Sequence, residues 1–424
     1  MNMQTNNAPS LGVVMPHFAF AGLAFLVSAV LLVFGDSFMT SHYFEAHLLA
    51  ITHIAALGWG VMIIMGALYQ LIPVVYEVGL YSENLAKFTF VIFGISVAWM
   101  VYIFWVNDFI EMMPYVSILM YSSVLLFIVN VVVSTLRSSK RTIQSLYIWA
   151  AMFWLSMTAL FGLLMALNYK YNFLSHTHLE FLRMHANMGV LGWFTSLIIG
   201  VGSILLPMFF VSHQLNENYM KWSFYSFQGG ITGLILNWYF IDNAILTALF
   251  WILLTEGIIL FILYAHQSYK KRMRKKLDVG MKQSVLSVLF LFAPIVIGIV
   301  SYFITDSTLS LRFEILYIFS FLYMFISAII LGQTYKTIPF IIWLDRYQSW
   351  VGKTKTPLPR ELYSEKIGDY HFYAYIISIL AFIVGILSGQ EIIIKIGSGF
   401  MLLTAIIYNL NLFKIILHKT KIKQ

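Results

Sequence analysis

The sequence has no cysteine among its 424 residues. That excludes disulfides, covalent attachment of a c-type haem through CxxCH, and thiolate metal sites. Charge is almost as scarce. Asp, Glu, Lys and Arg make up 10% of the chain, where a soluble domain carries about a quarter. Hydrophobic residues make up 60%. In lipid an open chain satisfies its backbone groups only as helix, so this composition specifies an all-α integral membrane protein. The net charge of +8 does not imply nucleic acid, because the basic residues flank apolar runs. It implies contact with the anionic headgroups of a lipid membrane.

Twelve apolar runs lie near 12–34, 44–75, 84–106, 113–136, 143–167, 176–211, 219–241, 243–268, 283–304, 311–343, 370–388 and 391–415. Each is long enough to cross a bilayer, which takes about 20 residues. The second, sixth and tenth are longer and must tilt or protrude. Of the 26 Lys and Arg, only Lys170, Arg183, Arg312 and Lys395 fall in loops on one side, and Lys336 lies inside the tenth run. The positive-inside rule then places both termini in the cytoplasm. The expected location is a bacterial cytoplasmic membrane. The run "KKRMRKK", Lys270 to Lys276, reads as an ordinary inner loop.

One spacing recurs. A glycine, six residues and a proline appear at Gly66 and Pro73, Gly200 and Pro207, and Gly332 and Pro339. "LGWGVMIIMGALYQLIP" (Leu57 to Pro73) lies on "LGWFTSLIIGVGSILLP" (Leu191 to Pro207) without a gap. Each copy is expected to end the second helix of a four-helix block. The blocks cover about 12–136, 143–268 and 283–415 within a single membrane domain. Gly and Pro are both common in membrane helices, and Gly352 and Pro359 share the spacing in a loop. The gapless match and the equivalent place in each block therefore carry the repeat, not the pair alone. Three blocks of four differ from the usual transporter plan of two halves of six.

Twelve helices in three pseudo-symmetric blocks of four resemble subunit I of the haem-copper oxidase superfamily. "HIAALGWGVMIIMGALYQLIP" and "HANMGVLGWFTSLIIGVGSILLPMF" are similar to helices of its C-type oxidase and nitric oxide reductase branches. Any catalysis implied by the resemblance is that of an oxidoreductase of this kind. The family's metal ligands carry over only in part. His185 matches the copper-ligating histidine of its sixth helix. Its seventh helix carries a His-His pair, whereas "YMKWSFYSFQGGITGLILNWYFI" here has no histidine. Its tenth helix carries H-x-H, whereas here the place reads "YIF", Tyr317 to Phe319. No copper is expected, and standard oxygen reduction is not implied.

Six of the eleven histidines cluster at the outer ends of two equivalent helices: His42, His47 and His53, and His176, His178 and His185. His53 and His185 are deepest. His53 stands 20 residues before Pro73, and His185 stands 22 before Pro207. Two residues turn a side chain by about 200° on an α-helix, so by threefold symmetry the two face opposite ways around the ring. In the family, the 22-type residue of the tenth helix faces helix six and the 20-type faces helix two. Rotated by one block, that rule turns His53 and His185 toward one another. The resemblance thus implies a b-type haem held by two histidines between helices two and six. Neutral imidazoles suit axial ligation. Arg183, Arg312 and Lys170 are the outer cations available to haem propionates, and His47 and His178 are substitute ligands.

Other readings use the same residues. His53 and His185 with Glu45 or Glu180 form an alternative divalent-metal set. Glu256, midway along the eighth run, is a candidate for proton or ion movement. Its bland counterpart is an acid bonded to Thr255. Lys336 is expected to snorkel to the inner surface. The expected function is electron transfer, or a response to NO or oxygen, in company with other respiratory membrane subunits. The alternative is a transporter or handling protein for haem, metal or a small molecule.

Overall fold

The computed structural model describes residues 7–301 and 303–420. The chain ends expected in the cytoplasm extend into residues outside this range. The described residues form twelve principal helices and no strand. They are α1 (Leu11–Phe34), α2 (Ala46–Tyr76), α3 (Glu83–Val106), α4 (Met113–Leu136), α5 (Ile143–Tyr171), α6 (His178–Phe210), α7 (Asn218–Phe240), α8 (Ala244–Lys270), α9 (Val279–Ser301), α10 (Ser307–Trp350), α11 (Glu365–Ser388) and α12 (Glu391–Ile416).

Eleven of these are long and apolar enough to cross a membrane. The exception is α7, which forms as a helix but carries Lys221, Gln228 and Asn237 along its length. Lys221 is exposed, and the two amides serve packing. Gln228 accepts from Trp154 Nε1 at 2.8 Å, and Asn237 bridges to Thr247 at 2.9 Å.

Helix starts follow the local chemistry. Asn243, Asp278, Asp306 and Ser364 accept backbone N–H groups at the N-termini of α8, α9, α10 and α11. Thr142 and Thr177 make capping boxes at α5 and α6. Each cap satisfies donors that no helix can satisfy internally.

The recurrent glycines are contact points between helices. A Cβ at Gly66 would stand 2.7 Å from His17 Cβ on α1, and one at Gly200 would stand 2.5 Å from Tyr147 Cβ on α5. At Gly332 it would meet Ser284 Oγ on α9 at 2.7 Å. In each case the glycine lets the second helix of an expected block press on the first. The prolines differ. Pro73 and Pro207 lie in the last turn of α2 and α6, whereas α10 continues past Pro339 to Trp350. At 44 residues and 1.5 Å rise per residue, α10 is roughly 65 Å long, twice a hydrocarbon core.

The same three helices share an irregularity. Ile54–Val61, Met188–Thr195 and Ser320–Ile326 are π-helical. Each begins nineteen residues before Pro73, Pro207 or Pro339 respectively. Regular π turns are rare and concentrate at functional sites. Side chains hold the widened turns. Thr195 Oγ1 donates to the Val190 carbonyl and Ser327 Oγ to the Leu322 carbonyl, both at 2.7 Å and five residues back. Tyr375 on α11 donates to the Met324 carbonyl at 2.9 Å, and Ser287 on α9 to Phe325 at 2.9 Å.

Two compact units emerge from the contacts. One comprises residues 1–73, 86–107 and 277–424, the other 74–85 and 108–276. The first holds α1, most of α2 and α3, and α9 to α12. Phe25 stacks on Trp59 at 4.7 Å between ring centroids, and Tyr408 closes the group edge-on. The second holds α4 to α8, with α7 and α8 drawn together where Gly257 meets the Phe227 backbone and Gly230 meets Leu254.

Candidate functional site

His53 is the last residue before the π segment of α2. Its Nδ1 lies 2.7 Å from the Leu49 carbonyl oxygen, and its ring stacks on Phe104 of α3 at 4.6 Å. A carbonyl only accepts, so Nδ1 carries the proton and the lone pair sits on Nε2.

His185, three residues before the π segment of α6, has the same tautomer for a different reason. Its Nδ1 donates to the carbonyl of Thr158 on α5 at 2.9 Å. Gly162, one turn along α5, leaves room for the ring, because a Cβ there would stand 3.1 Å from His185 Cε1. Both rings are half-buried. The donor chemistry of each fits an axial ligand of haem iron, since Nδ1–H bonded to a carbonyl fixes the ring and would leave Nε2 as the ligating atom.

The π segments bear on the angular comparison of the two histidines. A π turn winds less per residue than an α turn, so a uniform 100° step misplaces everything beyond it. Both helices carry eight π residues at the same distance from their prolines. The correction is therefore equal in α2 and α6, and the two-residue difference between His53 and His185, counted along each helix from its own proline, is unaffected by it.

The remaining candidates are held in other ways. His47 donates Nδ1–H to Glu45 Oε1 at 2.6 Å and stacks on Phe38, while Glu45 Oε2 caps Leu48 N. His178 accepts at Nε2 from Asn168 Nδ2 at 2.9 Å. The orientation of Asn168 is fixed, because its Oδ1 accepts from Phe173 and Leu174 backbone N–H groups. The lone pair a metal would need on His178 is thus already engaged. Glu180 closes the capping box with Thr177. Both acids therefore cap their helices, and the described residues contain no group of three or more metal-ligating side chains.

Arg183 pairs with Asp242 at 3.1 Å and lies over the Trp238 ring. Arg312 donates to the Leu387 carbonyl at 3.1 Å. Lys170 pairs with Glu111 at 3.4 Å. Glu256 is on the exposed face of α8, next to the Gly257 contact with α7. Lys336 does not snorkel. Its ammonium pairs with Asp278 at the N-terminus of α9, and 9% of the side chain is exposed.

Two buried histidines had no signal in the helix-end clustering. His17 is enclosed between Gly66, Tyr69 and Phe90, and His371 between Tyr335 and Tyr408. Both lie in apolar runs, where a single histidine has no spacing partner. His17 also donates Nδ1–H to a carbonyl, that of Val13 at 2.7 Å. The tautomer alone therefore does not mark a ligand. What sets His53 and His185 apart is their place on two helices that share the repeat and the π segment.

The sequence matches no protein-family model and shows no significant similarity to a curated protein. The fold and its composition define a multi-pass, all-α integral membrane protein.

Proposed function

We propose that the protein is a membrane haem protein on a scaffold like that of haem-copper oxidase subunit I, with three four-helix blocks and a b-type haem between α2 and α6. His53 and His185 hold the iron through Nε2. The carbonyls of Leu49 and Thr158 keep each ring in the ligating tautomer, and Phe104 packs against one of them. When bound, the haem supplies a one-electron centre, with NO or oxygen binding only if a histidine leaves. The role that follows is electron transfer, or a response to these gases, beside other respiratory subunits of a bacterial cytoplasmic membrane.

The observation that carries the reading is the recurrence of the π segment nineteen residues before each proline in α2, α6 and α10, with one matched histidine just outside it in each of the first two. It supports the threefold plan independently of the sequence match. The visible spectrum of protein purified from haem-replete cells is the test. Sharp α and β bands on reduction support the proposal, and a colourless protein sinks it.

A further inference from the structure

The first compact unit contains a second polar region, at the ends of α9 and α11 that start together. Val279 of α9 packs on Gly368 of α11, with 3.0 Å to a Cβ placed there. Near this contact Lys282 and Asp369 pair at 3.5 Å, with side chains 45% and 47% exposed. Deeper lies the Lys336–Asp278 pair, 9% and 18% exposed. One turn beyond the contact stand Gln283 on α9, 1% exposed, and His371 on α11, fully buried.

At the bottom of this gradient polar atoms lack protein partners. Neither amide atom of Gln283 has a hydrogen bond among the described residues, nor does Gln333 Oε1, nor His371 Nε2. Neighbouring groups are already engaged. Gln333 Nε2 donates to Ser284 Oγ at 2.8 Å, and Tyr408 OH to Thr334 Oγ1 at 3.1 Å. Asn411 Nδ2 donates to Tyr335 OH at 3.4 Å. Each unpaired buried polar atom costs about 1–3 kcal/mol, and in a membrane span lipid offers no relief. Such clusters are satisfied by internal water with two to four polar partners.

We propose that this region is a hydrated proton-exchange site. Water held by Gln283 and Gln333 connects His371 Nε2 with the aqueous phase beside Lys282 and Asp369. An O–H bond of hydronium breaks as the Nε2–H bond forms, and the reverse releases the proton. Tyr335 of α10 and Tyr408 of α12 pack on the imidazole. The charged groups of the region are Lys336 on α10, Asp278 and Lys282 at the start of α9, and Asp369 on α11. The two carboxylates offset the two ammonium groups, so a proton on His371 adds the one uncompensated charge. The inference does not rest on the haem reading, and a colourless protein leaves it standing.

The cysteine-free chain permits a direct test. Single variants Gln283→Cys, half-buried Gln333→Cys and the control Ala328→Cys, as buried as Gln283, each in the full chain in membranes, are treated with silver ion. Thiol reactivity follows access to water, so the two Gln positions are expected to react at least about tenfold faster than the control. In parallel, ¹⁵N-histidine spectra of the wild-type chain are compared with those of His371→Gln to find the His371 signal, which is expected to move with bulk pH. Reaction at both Gln positions no faster than at Ala328→Cys overturns the proposal. So does a His371 signal that stays fixed from about pH 3 to 9. Where Gln283→Cys does not fold, Gln333→Cys decides.

Discussion

The imidazole of His185 on α6 is tied to α5: its Nδ1 lies 2.9 Å from the Thr158 carbonyl oxygen. His53 Nδ1 bonds within its own helix, to the Leu49 carbonyl, and its ring stacks on Phe104 of α3. The two candidate ligands therefore depend on their surroundings differently. His185 is positioned by helix packing, and His53 by helix continuity and the Phe104 ring.

Removing either ring abolishes the proposed haem signal. His53→Ala and His185→Ala are each expected to lose the sharp reduced bands, whereas His178→Ala keeps them, because Nε2 of His178 is committed to Asn168. Reduced-minus-oxidised spectra of the three variants check this. Unchanged bands in both of the first two variants rule out the proposed ligand pair.

Gly162→Ala disturbs His185 without touching a ligand. The added Cβ stands 3.1 Å from His185 Cε1, so the ring must shift or tilt. Changes in the supporting shell of a ligating histidine cost about 10–100-fold in affinity, and haem content after purification is expected to fall on that scale. Retention of full haem content shows that the ring has slack.

Gly200→Ala is expected to destabilise the chain by about 1–3 kcal/mol through overpacking, since its Cβ would stand 2.5 Å from that of Tyr147. Gly229→Ala on α7 is the control, with nothing within 4 Å of the added atom. There the change is expected to be neutral or stabilising by about 0.4–1 kcal/mol, because alanine reduces the freedom of the unfolded chain. Thermal melting in detergent separates the two.

Lys336→Met leaves the Asp278 carboxylate beside a buried methylene chain. Breaking a buried pair from one side costs about 3–5 kcal/mol. The double variant with Asp278→Asn is expected to recover part of that loss, and a double-mutant cycle of melting temperatures measures how much. Additive losses show that the two groups act independently.

The helices and their apolar character were legible because twenty-residue apolar runs have few alternatives in lipid. The G-x6-P spacing was legible too, and its glycines proved to be points of close helix contact. The course of α10 beyond Pro339 was not legible, because proline there interrupts one backbone bond in a helix whose later residues Ile341, Ile342 and Tyr347 are buried. Nor were the π segments. "IAALGWGV" and "MGVLGWFT" carry no composition that separates a π turn from an α turn. The fate of Lys336 depended on Asp278, 58 residues earlier. The commitment of His178 depended on an amide in α5, fixed by a turn that the pattern of apolar residues does not describe.

The π segments also give α2 slack. A π turn is an α turn that has accommodated one extra residue, so deleting one residue between Ile54 and Val61 lets the helix close up as α with both halves near their present directions. His53 keeps the Phe104 ring, and Gly66 and Pro73 keep their register against α1. The same deletion in the α-helical stretch from Met62 has nothing to take it up, and everything on its N-terminal side swings by about 100°. The widened turn thus works as a length buffer between the histidine end of the helix and its packed glycine end.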